Sequence, residues 1–309
     1  MLEFLKESKP YQLIIWGLML FTTLIATYTP DIWLFKVGAS FAVQIMFGFL
    51  VLGLLFLFIS DSKSMFISFI CCGILCLFLR NREPFYPQPS GNLIKIAHID
   101  LEDCREAGIN KTIQTILKTD ADVITFQHID PKWDQILKNQ LKDRYKHEAT
   151  YMGLTLFDAA VYSKFPFMKV DTFHYQDAPN IYGTVPFEGK TVNFLLSNTT
   201  PPVNVEAYQD IREQLIEVGD FIAKSNAPYI ALGDYNVTSH SAEMLELKNR
   251  SNLKDSRIIR SPMVQSPNDH ILFSEHLQCV DFTSILATES TIKIGISGLY
   301  QYNPEYYAQ

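Results

Sequence analysis

The chain has 309 residues, 48% of them apolar and 19% charged, with a formal net charge of −7. An acidic chain with no basic run, and no Lys/Arg stripe interleaved with aromatics, speaks against a surface that tracks nucleic-acid phosphates. Its five cysteines lack zinc-site spacing.

Residues 11–28 ("YQLIIWGLMLFTTLIATY"), 37–60 ("VGASFAVQIMFGFLVLGLLFLFIS") and 64–79 ("SMFISFICCGILCLFL") carry no charge. A hydrocarbon core about 30 Å thick needs about 20 apolar residues in a helix, which the first two runs supply. The third is shorter, with Lys63 and Arg80 at its ends to snorkel. The pattern predicts three transmembrane helices within residues 1–80. A cleaved signal peptide fits poorly, because no small-x-small site follows the first run and two more apolar runs do. With the N-terminus inside, Lys6, Lys9 and Lys63 face Lys36, Arg80 and Arg82 across the membrane. The positive-inside rule therefore gives no orientation, and a re-entrant third run would reverse the topology.

Residues 81–91 hold three prolines and a glycine without apolar periodicity, which predicts a linker. Residues 92–309 have globular composition and suffice for one core. Strands are expected at 92–99, 122–129, 158–167, 190–198, 228–236 and 269–274. Helices are expected at 108–118, at 131–141 with Pro131 at the first helical position, and at 204–224, where Ile211, Leu215, Val218 and Ile222 share a side. This order predicts an α/β sandwich of two sheets flanked by helices. The strand "PYIALGDYNV" ends in Asp234 and Asn236, two residues apart and so on one face. Cys71, Cys72 and Cys76 lie in the third apolar run. For Cys104 and Cys279, two buried thiols and a disulfide formed in an oxidising compartment are both open.

In order and spacing, "IKIAHID", "DADVITFQHID", "DAAVYSKFPF", "IALGDYN" and "NDHILFS", with "NTTPP" also in place, resemble the motifs of the DNase I-like endonuclease/exonuclease/phosphatase family. The resemblance runs through residues 92–309, and with the preceding helices it is to the membrane-anchored bacterial branch. It implies a cytoplasmic-membrane protein, multi-pass, with its domain outside the cytoplasm. It also implies hydrolysis of phosphoesters with a divalent metal, usually Mg²⁺, and a histidine paired to an aspartate.

Taken position by position, the resemblance implies a degenerate site. The first strand ends in Asp100 where the family has asparagine. The second reads Gln127-His128 where the family has Gln-Glu, that glutamate being the principal metal ligand. Asn198 stands where a histidine touches the phosphate. Asp234, Asn236 and Asp269 keep the family identity. The terminal serine–aspartate–histidine motif is expected near 294–300, where Ser297 and Gly298 stand with neither aspartate nor histidine. Imidazole suits Zn²⁺ or Mn²⁺ better than Mg²⁺, so tight Mg²⁺ binding is not expected.

Three roles for these residues stay open. They hold strand-end loops by hydrogen bonds; they form a rewired metal site of Asp100, His128, Asp234 and Asp269; or they line a binding site without chemistry. The first expectation for function is a membrane-anchored pseudoenzyme that binds or scaffolds membrane proteins in an envelope complex. The alternative is a divergent metal-dependent phosphoesterase acting near the membrane.

Overall fold

The computed structural model describes residues 9–27, 41–79, 86–153, 158–176, 178–239, 241–257 and 268–307. Residues 28 and 37–40 of the expected first and second membrane segments, and 81–85 of the expected linker, lie outside the described residues, as does His240. The chain divides into a helical unit at the N-terminus and a larger α/β unit.

The helical unit holds α1 (Pro10–Thr27), α2 (Ala42–Phe58) and α3 (Ser62–Phe78). All three apolar runs form helices, but among the described residues α1 alone, at 18 residues, is long and apolar enough by length and composition to cross a membrane. At 17 residues each, α2 and α3 rise about 25 Å, short of a hydrocarbon core of about 30 Å. Polar turns end them: Ser60, with φ 60°, follows α2, and Asp61 caps α3 by accepting from Ser64 N at 3.2 Å. The expectation of three full spans is corrected accordingly. Trp16 Nε1 donates to Ser64 Oγ at 2.9 Å, Gln12 Nε2 to Asp61 Oδ2 at 3.0 Å, and Ser68 Oγ to Phe49 O at 2.7 Å. These bonds tie the helices together where apolar contact alone is non-directional.

The α/β unit is a sandwich of two six-stranded sheets. One runs β11-β12-β1-β2-β4-β3 and the other β5-β6-β7-β8-β10-β9. Their strands are β1 (Ile94–Asp100), β2 (Val123–Gln127), β3 (His147–Tyr151), β4 (Ala159–Ser163), β5 (Lys169–Tyr175), β6 (Ala178–Phe187), β7 (Lys190–Ser197), β8 (Tyr229–Asp234), β9 (Leu253–Asp255), β10 (Asp269–Ser274), β11 (Leu277–Leu286) and β12 (Lys293–Tyr302). Between the sheets lies a core that includes Ile96, Val161, Phe194, Leu232 and Ile271. On the outer face of the first sheet pack α5 (Ile109–Thr119) and α6 (Pro131–Leu141), through Ile113, Ile116 and Leu137. On the other pack α7 (Val205–Ala223) and α8 (Ala242–Ser251), through Ile211, Leu215, Met244 and Leu247. The short α4 (Cys104–Ala107) follows β1, and α9 (Pro304–Tyr307) follows β12.

The central strands β2, β4 and β8 are covered on both faces, so they read as continuous apolar runs. In each sheet one pair is parallel, β1 with β2 and β7 with β8, and these pairs end together at Asp100, Gln127, Ser197 and Asp234. Polar residues at all four ends therefore converge on one rim of the sandwich.

Cys104 and Cys279 are buried free thiols in different cores, the first under α5 and α6, the second between the sheets. Each bonds a nearby carbonyl at 3.2 Å, Asp100 O and Asp281 O respectively. Burial pushes both thiols up to about 12, and the disulfide alternative is set aside.

Candidate functional site

Asp100, His128, Asn198, Asp234, Asn236 and Asp269 line one cleft of about 360 Å³, together with Glu102, Asp103, Thr199, Pro201 and Asn268. The sequence reading singled out the first six. Carboxylate oxygens of Asp100, Asp234 and Asp269 all lie within 4.8 Å of one another. Two register facts bring them together: Asp100 ends β1 beside Gln127, and Asp269 starts β10 directly opposite Asp234.

His128 leaves β2 with φ 55°, a left-handed conformation uncommon outside glycine but enriched in histidine, asparagine and aspartate. Its Nδ1 lies 2.8 Å from Asp100 Oδ1, an oxygen that also accepts from Glu102 N at 2.8 Å. Burial favours the neutral form of both partners. Their mutual hydrogen bond and charge outweigh it, holding Asp100 below the usual carboxylate range and His128 above the usual imidazole value. Nδ1 and Oδ1 thus close an acid–base pair at hydrogen-bond distance. Asn198 Nδ2 stands 3.4 Å from His128 Nε2, and Asn198 Oδ1 is a buried atom without a hydrogen-bond partner.

Asp234 is held by the backbone. Its N donates to Gln127 Oε1 at 2.9 Å, its O accepts from Thr199 N at 3.1 Å, and Oδ1 accepts from Asn236 N at 2.8 Å. Asn236, in the left-handed region at φ 51°, sends Nδ2 to Thr199 O at 2.7 Å. Burial, then the nearby Asp269 charge, pushes the Asp234 carboxyl up to about 7.

Ser297 and Gly298 do not join the cluster. They sit in mid-strand opposite Ala97 and Ile96, with Ser297 Oγ 3.1 Å from Thr283 Oγ1. Since Gly295 is already opposite Ile99, Lys293, two residues earlier, lies just past the end of β1. Lys293 Nζ donates to Asp269 Oδ2 at 2.8 Å with both side chains 2% exposed. Burial lowers the ammonium's pKa and the Asp269 charge works against that. The sequence reading missed Lys293. The available signal was a lysine opening an otherwise uncharged strand, one residue before the segment 294–300 where the terminal motif was expected. His98, fully buried in β1, has its Nδ1 2.9 Å from Thr125 Oγ1, and burial lowers its pKa. His270 Nε2 donates to Val237 O at 2.8 Å and sits apart from the cleft lining.

Three carboxylates suit Mg²⁺ in kind. Two of their oxygens are already taken, Asp100 Oδ1 by His128 and Asp269 Oδ2 by Lys293, so a divalent ion would have to compete with both side chains for them.

A two-sheet sandwich with an acidic cleft at its strand ends defines the class. The chain belongs to the Endonuclease/Exonuclease/phosphatase family, whose profile matches residues 102–290. Similar solved structures include an endonuclease/exonuclease/phosphatase from Beutenbergia cavernae DSM 12333 (TM-score 0.56, 14% identity, 69% of this chain and 72% of that one). A humanized D. rerio TDP2 carrying 14 mutations is similar over 68% of this chain and 99% of its own (TM-score 0.56, 14% identity). The human nocturnin catalytic domain with bound sulfate is similar over 68% of this chain and 95% of its own (TM-score 0.53, 12% identity). At such identities the likeness is one of fold. Comparison with curated protein sequences gave no match.

Proposed function

We propose that this chain is a membrane-anchored pseudoenzyme, its endonuclease/exonuclease/phosphatase domain serving as a binding or scaffolding subunit of a membrane complex. The observation that carries the reading is the pairing inside the cleft. Asp100 with His128 and Asp269 with Lys293 close on each other, so the groups that phosphoester hydrolysis would use are spent on holding strand ends. Residues 1–80 anchor the protein through three apolar helices. α1 is the span, with α3 bonded to it and α2 bonded to α3. The domain, residues 92–309, lies outside the cytoplasm, joined by the linker 81–91, and binds membrane proteins together with the helices.

The second reading, a divergent phosphoesterase using Zn²⁺ or Mn²⁺ rather than Mg²⁺, is favoured by the three clustered carboxylates. Purified full-length protein incubated with bis-p-nitrophenyl phosphate and each of the three metals separates the two. Metal-dependent turnover abolished in Asp234→Ala sinks the pseudoenzyme. For the scaffold itself, the complex recovered from detergent-solubilised membranes of the source organism is expected to survive Asp234→Ala with Asn236→Ala. It is expected to be lost when an unrelated single helix replaces the anchor.

A further inference from the structure

Lys293 opens β12, and its place follows from pairing on two sides. It lies opposite Leu286 of β11, and two residues later Gly295 lies opposite Ile99 of β1. The ammonium is thereby delivered to the rim where β1 ends, and it contacts Asp269, whose carboxylate is clustered with those of Asp100 and Asp234. A buried lysine tolerates its desolvation only with a partner this close. A metal ion on the same carboxylate oxygen, at about 2.1 Å, would sit within about 5 Å of Nζ, in a buried site where like charges repel strongly. A neutral oxygen is also at hand in that lining: Asn198 is 3% exposed and its Oδ1 has no hydrogen-bond partner. The donors for a cation are thus assembled, and a side-chain cation already stands against one of them, Asp269.

We propose that the Lys293 ammonium, held on Asp269, opposes the charge of the Asp100–Asp234–Asp269 cluster and bars divalent metals from it, so that removing its charge opens a divalent-cation site. The inference rests on the reading of the cleft as one without metal-dependent hydrolysis, and it adds the residue responsible.

The test is Mn²⁺ binding to the full-length protein in detergent, read by electron paramagnetic resonance of the free ion. Wild type and Lys293→Arg are expected to bind weakly or not at all. Lys293→Met is expected to bind at least about tenfold more tightly, and Lys293→Met with Asp269→Asn to lose that gain. Equal binding by wild type and Lys293→Met, at any affinity, overturns the proposal. Should Lys293→Met not fold alone, the proposal requires that Mn²⁺ restore folding where Na⁺ of equal ionic strength does not; no rescue counts against it. Phosphodiester hydrolysis assayed on the same samples keeps the two ideas apart. Turnover by wild type with metal defeats the pseudoenzyme reading, whereas a metal-blind Lys293→Met with an inert wild type defeats this inference alone.

Discussion

Gln127 Oε1 accepts a hydrogen bond from Asp234 N at 2.9 Å, and the Nε2 of the same side chain donates to Ser197 O at 3.0 Å. One buried amide on β2 thus clamps the ends of β7 and β8 in the opposite sheet. Gln127→Ala would strand a backbone donor and a backbone acceptor away from water. Each unsatisfied group costs about 1–3 kcal/mol, so a loss of roughly 2–4 kcal/mol is expected in denaturant unfolding of the solubilised protein. An unchanged midpoint would mean the clamp does not form.

Gly233 lies between Gln127 and Ser197 with φ 141°, and a Cβ there would stand 1.9 Å from Ser197 O. That neighbour is backbone within a parallel strand pair and cannot turn aside. Gly233→Ala is expected to cost more than about 3 kcal/mol or to prevent folding. Recovery of the variant with a wild-type thermal midpoint would contradict the β7–β8 geometry.

Asp234 supplies a pH dependence of known sign. Its folded pKa, about 7, lies above the ordinary 3.8. Between those values the folded state keeps a proton that the unfolded state has released. Asp234 therefore lowers stability progressively as pH rises through that window, with the full penalty above about pH 7. Asp234→Asn is expected to be more stable than wild type by roughly 1–3 kcal/mol near pH 8, with the gap closing towards pH 4. A gap that is constant with pH would show that Asp234 is ionised throughout.

Asp61 accepts from Ser64 N and Ser64 Oγ, at 3.2 and 2.7 Å, and from Gln12 Nε2 at 3.0 Å. It serves as both helix cap and bridge from α1 to α3. Asp61→Ala is expected to destabilise the helical unit by about 1–2 kcal/mol. Thermal unfolding in detergent followed by circular dichroism would measure it, and an unchanged transition would remove Asp61 from the bridge.

Cys104 and Cys279, each raised to about 12 by burial, are expected to resist maleimide in the native protein at neutral pH and to react once it is unfolded. Oxidation of the native protein is expected to leave both as thiols, read by mass spectrometry. A Cys104–Cys279 disulfide in peptide maps would require the cores to be rebuilt.

The sequence by itself determined the sandwich and the rim. Runs such as "ITF" in β2 and "YIAL" in β8 are apolar without alternation because both their faces are covered, and that periodicity is local. Asp234 and Asn236 were legible from the strand pattern, at the end of an apolar run, whereas Asp100, His128, Asn198 and Asp269 were legible only through the resemblance of their motifs to the family's. Edge and hairpin strands were not legible. β5 reads "KVDTFHY", with one face open to water and no continuous apolar run, and β11 and β12 lie at the end of a long chain with few local cues. The helix lengths of the anchor were blurred for a related reason: an uncharged run does not announce where a polar turn such as Ser60-Asp61 ends the helix. Lys293 was hidden most completely. In sequence it is a lysine after "ESTI", like any solvated charge. It becomes a buried cation only because antiparallel pairing with β1 and β11 carries it to Asp269, 24 residues earlier, and to the end of the strand that bears Asp100. Such pairing is long-range, set by the packing of two whole sheets, so only the tertiary structure decided that a buried ammonium meets Asp269 beside the cleft.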